Sequence, residues 1–172
     1  MADNVVFQDF SFEVKAELNE TSIGWALDTG NEIVSQIQRN VSTSGWTDAE
    51  RTQLRDSYSC RPGSDDGEVH IGTPLEQGYW EEWGTGEYAA HGDGRKGWWI
   101  YCPDQSSMGG GMTYHDEMEA MMMAAYIQQI YKKKAYVTNG RKPNYTMENA
   151  FKAVKNPAIE RLERLMKERM GT

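Results

Sequence analysis

Apolar and polar residues alternate strictly from Phe10 to Leu18, with Phe10, Phe12, Val14, Ala16 and Leu18 set against Ser11, Glu13, Lys15 and Glu17. That is the two-residue period of a half-buried strand. After Asn19–Thr21 the period lengthens. Ile23, Ala26, Leu27, Ile33, Val34 and Ile37 recur at helical spacing and predict a helix ending near Arg39-Asn40. Gly24 and Gly30 each weaken it by about 1 kcal/mol relative to Ala, so packing has to hold it. Val41–Glu50 is polar and turn-rich and predicts a loop. Leu54–Arg61 alternates as a strand, Arg61–Gly67 is a turn cluster, and Glu68–Gly72 is the returning strand of a hairpin. Tyr79–Trp83 is a short aromatic segment entering Gly84-Thr85-Gly86. A Gly- and charge-rich loop, Glu87–Gly97, leads to Trp98–Cys102, the most hydrophobic strand candidate, and Ser106–Gly111 reads as a flexible connector.

The C-terminal third changes to helical spacing. Between Tyr114 and Lys134 a stripe runs through Met118, Met121/Met122, Ala125 and Gln129/Ile130, and Lys132–Lys134 suit the negative end of the helix dipole. Asn139-Gly140 and Pro143-Asn144 break it. Thr146 can cap a helix bearing Met147, Ala150/Phe151 and Val154. Asn156-Pro157 predicts a restart, with Ile159, Leu162, Leu165/Met166 and Met170 on one face. Strand, helix, strands, helices is an α+β order. The expected architecture is an antiparallel β-sheet with a long hairpin or loop, packed by an N-terminal helix and C-terminal helices. Its boundaries are an α+β domain over residues 1–138 and a helical basic C-terminal extension over 139–172.

The chain has 172 residues, 18 Lys+Arg and 26 Asp+Glu, for a formal charge of −8. The length fits one ordinary domain, or one domain with an arm. No stretch approaches the ~18 consecutive apolar residues of a membrane span. The opening MADNVVFQDF lacks the basic and apolar regions of a secretory signal. Cys60 and Cys102 make no disulfide framework, and the expectation is a reduced cytosolic chain with thiols buried in strands.

Position sharpens the charge. Residues 1–131 hold 22 acids and 7 bases, net −15, whereas 132–172 hold 4 acids and 11 bases, net +7. A solvated basic helix explains this, and so does self-association, the basic end of one copy meeting the acidic body of another. Binding of the basic end to nucleic acid is opposed by an acidic body that repels phosphate.

The candidate chemistry is thin. Gly84-Thr85-Gly86 and Gly92-Asp93-Gly94-Arg95-Lys96-Gly97 do not make a phosphate loop: Gly97 follows the lysine, and the segment feeds a strand rather than a helix N-terminus. His70, His91, His115 and the two cysteines lack metal-ligand spacing, so neither a metal nor another cofactor is expected. Glu81, Glu82 and Asp93 could serve as hydrolytic carboxylates with Trp80, Trp83, Trp98 and Trp99 stacking sugars. This is the alternative reading: a carbohydrate-binding or glycan-cleaving module. Met118, Met121, Met122 and Met123 cannot share one side of a helix, so that helix is either buried nearly all round or meets a partner.

Glu82-Trp83-Gly84-Thr85-Gly86, followed by a Gly/basic loop and by Trp99-Ile100-Tyr101, resembles the Hong Kong ninety-seven gene-product-ten-like family of tailed-phage neck and tail-completion proteins. Upstream, Leu54, Arg55 and Ser57 match part of that family's Thr-Gly-x-Leu-Arg-x-Ser pattern, although the Gly is missing. The likeness spans about residues 5–135. Met112–Met118 lacks the usual Pro-Phe pair, and the chain beyond Asn139 exceeds the pattern.

The resemblance implies a structural virion protein and no enzyme. Such a protein assembles as a homo-oligomeric ring at the head–tail interface, in the virion and, during assembly, in the host cytoplasm. Its partners are further copies of itself, connector or head-closure proteins, and tail-terminator or tail-tube proteins. DNA passes through the ring without specific binding. The expected interface residues are Glu82, Trp83, Gly84, Thr85, Gly86, Arg95, Lys96, Arg161, Arg164 and Lys167, with Glu87–Gly97 and Asn156–Met170 making the contacts. Gly84 and Gly86 are expected to permit a tight turn, and Glu82 to accept hydrogen bonds or pair with a base.

Overall fold

A computed structural model describes residues 12–13, 19–64, 68–102 and 111–170. In order they form β1 (Phe12–Glu13), α1 (Asn19–Asn40), α2 (Asp48–Ser57), β2 (Ser59–Pro62), β3 (Glu68–Gly72), α3 (Glu76–Trp83), β4 (Trp99–Tyr101), α4 (Glu117–Tyr131), β5 (Tyr136–Thr138) and α5 (Thr146–Met170). The fold is α+β, with helices near both ends of the chain. The expected sheet is divided in two: an antiparallel sheet in the order β1-β3-β2 and an antiparallel β4–β5 ribbon. Most of the strand expected over Phe10–Leu18 lies outside the described residues, as do the hairpin tip and most of the Ser106–Gly111 connector.

Two compact units result. One comprises residues up to Glu82 and from Asn144 onward, and the other is Trp83–Pro143, inserted between them. This division does not follow the expected boundary at 138/139, because α5 packs along α1. Met147, Ala150, Val154 and Ala158 are buried among Trp25, Ala26, Ile33, Val34 and Ile37. The basic end is accordingly shared out. Lys132–Lys134, Arg141 and Lys142 belong to the inserted unit, which has seven bases and six acids, net +1, and the first unit is net −9.

In the first unit, α1 lies across the three-stranded sheet. Gly30 is required there because a Cβ would stand 2.3 Å from Cys60 Sγ, so the residue that weakens the helix lets the sheet approach. The hairpin register pairs Cys60 with Ile71 and Pro62 with Val69. Two helices replace expected elements. Residues 48–57 are α2 rather than loop and strand, because Thr47 and Glu50 form a reciprocal capping box and Leu54 alone is buried from that helix. Tyr79–Trp83 lies in α3.

Nor does the chain restart at Pro157: α5 is one helix with the proline inside it. Pro157 removes one backbone donor. On either side, Val154 and Ala158 are buried, and Trp25 Nε1 donates to Ala158 O at 3.0 Å.

The inserted unit is slighter. Its core is Ile100, Cys102, Tyr114, Ala120, Ala124, Ile127 and Ala135, flanked by Trp98 and Val137. Ribbon and helix meet through small residues of α4. Tyr101 and Tyr136, paired across the ribbon, are exposed. No helix among the described residues is long and apolar enough to cross a membrane.

Candidate functional site

The Glu82–Gly86 motif is best built from its acidic end. On α3, Gly78, Glu81 and Glu82 form the i, i+3, i+4 face that turns into the first unit, and Tyr79 is exposed. Glu81 is 0% exposed. Its Oε1 accepts from Ser42 N at 2.7 Å, Asn144 Nδ2 at 2.9 Å and Thr146 Oγ1 at 3.2 Å, and its Oε2 accepts from Trp46 Nε1 at 2.8 Å. One carboxylate thus ties the α1–α2 connection to the start of α5. Glu82, 2% exposed, accepts from Met147 N at 2.7 Å and Glu148 N at 3.1 Å, satisfying two orphan donors at the positive end of α5.

Burial raises the Glu82 pKa. The Met147 and Glu148 amides pull it back in part, while the charges of Glu148 and Glu81 raise it further. Burial likewise pushes the Tyr58 phenol upward, aided by the charges of Glu81 and Glu82. Among the described residues the buried Tyr58 hydroxyl has no hydrogen-bond partner. Every oxygen of the two carboxylates accepts at least one hydrogen bond. Held in this way they organise the α1–α2 connection and the start of α5, and neither carries the exposed acid or base that hydrolysis needs.

The other end of the motif lies in the inserted unit. Gly84 and Gly86 have φ of 73° and 62°, in the left-handed region. A Cβ at Gly84 would meet Arg141 O at 2.6 Å, and one at Gly86 would meet Asn139 O at 2.3 Å. The turn pairs with the returning chain: Thr85 N donates to Arg141 O at 2.8 Å, Arg141 N to Thr85 O at 3.3 Å, and Glu87 N to Asn139 O at 2.9 Å. Both glycines therefore serve close backbone pairing, as the motif predicts.

The remaining expected interface residues are dispersed. Trp83 packs on His91, with ring centroids 4.6 Å apart. Arg95 lies 5.2 Å over the Trp99 ring and donates to Thr113 Oγ1 at 2.8 Å. Arg161 pairs with Glu32. Lys96, Arg164 and Lys167 are exposed. The expectation that Glu82 lies at an interface is corrected, because its carboxylate is inside the first unit; Gly84 and Gly86 are buried as well. Trp80 stacks on Trp46 with centroids 6.5 Å apart, Trp98 packs on the inserted unit's core, and Trp83 and Trp99 have the partners just named. Among the described residues no His, Cys, Asp and Glu gather as a metal-binding group.

Sequence reasoning named Glu81 only as a possible hydrolytic carboxylate and missed its burial and its donors. A Gly78-Glu81-Glu82 face has the spacing of a helix side, but polar residues at that spacing read as solvated. It left the facing of α4 open between burial nearly all round and contact with a partner. The side that packs is Ala120, Ala124 and Ile127, whereas Met118, Met121 and Met122 project outward.

Comparison with family models, with curated proteins and with solved structures returns no match for this chain.

Proposed function

We propose that this protein is a structural, self-assembling component of the head–tail interface of a tailed phage, working as a ring of identical copies in the neck or at tail completion. The observation that supports the reading is the Glu82–Gly86 motif. Its glycines have left-handed backbone, in keeping with the tight turn expected of them, ahead of the basic loop and the Trp99-Ile100-Tyr101 strand. A ring closes through heterologous contacts, one patch of each copy meeting a different patch of the next. Lys96 in the loop and Arg164 and Lys167 on α5 are exposed cations suited to acidic surface on a neighbour, since the first unit is net −9. Glu82 acts indirectly, by fixing the start of α5.

Electron microscopy of particles assembled without this protein tests the reading. Separate full heads and tails, or tails of wrong length, are expected; normal virions overturn it. The glycan-module alternative makes the opposite prediction in solution. Titration with cell-wall glycans leaves the tryptophan fluorescence of a neck protein unchanged.

A further inference from the structure

α4 is built in three zones along its length. Its first turn is acidic, with Asp116 as N-cap and Glu117 and Glu119 following. Its middle exposes Met118 (69%), Met121, Met122 (64%) and Tyr126 on the side opposite Ala120, Ala124 and Ile127. Its end is basic: Lys132 caps the helix in the left-handed conformation and Lys133 and Lys134 follow. Fifteen helical residues separate the two charged ends by ~22 Å.

A helix with this order of charge is complementary to itself when reversed. Two copies laid antiparallel place each acidic turn beside the other's lysines, with methionine packed on methionine between them. The helix dipoles oppose favourably in the same arrangement. A parallel pairing instead sets acid against acid and lysine against lysine. Met suits such a seam because its flexible, polarisable side chain fits an irregular facing surface. Ile130 and Tyr131, further along the same helix, are exposed as well.

We infer that the methionine face of α4 is a two-fold, antiparallel docking surface for α4 of a second copy of this chain. The interface is isologous, distinct from the head-to-tail contacts of a ring, and it uses none of Lys96, Arg164 or Lys167. It goes beyond the proposed function: it holds for the purified chain wherever that chain acts, so normal virions in the particle experiment leave it standing.

Sedimentation velocity of the full chain from about 1 to 200 µM tests it. A concentration-dependent dimer is expected. Met122→Glu should weaken it at least ~30-fold, with far-UV circular dichroism unchanged because the site is exposed. Glu117→Lys/Glu119→Lys and Lys132→Glu/Lys134→Glu should each lose the homodimer, since the substituted positions then face side chains of their own charge. An equimolar mixture of those two variants should regain a dimer of one copy of each. A wild-type chain that stays monomeric throughout overturns the proposal. So does a dimer indifferent to Met122→Glu, or a pair of charge-reversed variants that dimerise alone and do not combine.

Discussion

The two units handle polar and apolar groups in opposite ways. The first buries two adjacent carboxylates under α5 and surrounds them with donors. The inserted unit keeps a core of seven buried residues and leaves methionines and tyrosines outside. Buried carboxylates with every oxygen occupied specify one arrangement of the segments that supply their donors, since any other leaves donors unsatisfied. Exposed apolar side chains add nothing to the isolated unit and gain their stabilisation only when covered. One unit is organised around a satisfied polar interior, and the other leaves the methionine face of α4 exposed.

The largest break in this comparison is expected from Glu81→Ala. It removes the carboxylate acceptor of Ser42 N, Trp46 Nε1 and the Asn144 and Thr146 side chains, and should cost about 3 kcal/mol or more in urea unfolding. A loss below about 1 kcal/mol would mean that the carboxylate does not organise the unit. Next comes Gly86→Ala, expected to cost about 1–3 kcal/mol through the left-handed φ and the approach of Asn139 O. Hydrogen exchange should show the loss at Thr85, Glu87 and Arg141 amides, with α1 amides keeping their protection.

A smaller effect is pH-dependent. The folded pKa of Glu82 is raised, first by burial. Between the ordinary carboxylate value and that raised one, the folded chain keeps a proton that the unfolded chain has released. Glu82 therefore makes stability fall as pH rises through that window. Urea midpoints measured across it should fall less steeply in Glu82→Gln than in the natural chain; equal slopes would exclude the contribution. The smallest effect is expected where the apolar surface is largest. Met122→Ser should change the stability of the monomer by no more than about 0.5 kcal/mol, because the side chain is exposed before the substitution is made.

Much of the frame was legible in the residues. Ile33, Val34 and Ile37 announced α1, Arg61–Glu68 announced the hairpin, and Gly84 and Gly86 announced a turn. Thr47 and Glu50 also carried a readable signal, the capping box, which outweighs an alternation of only a few residues around Leu54. Glu81 was illegible for a physical reason. A carboxylate is buried only where donors converge, and Ser42, Trp46, Asn144 and Thr146 converge across a hundred residues of chain. Hydrophobic spacing left the facing of α4 open because it identifies the apolar side without telling whether that side meets the chain's own core. Ala120 and Ala124 pack inward because small residues admit the β4–β5 ribbon, and the larger methionines are left outside.

Hydrogen–deuterium exchange of the full chain over a dilution series tests the contrast most directly. If α4 is the association surface, amides from Glu117 to Tyr131 gain protection as concentration rises, while those of α1 and α5 stay constant. Protection of α4 that does not depend on concentration would contradict the account.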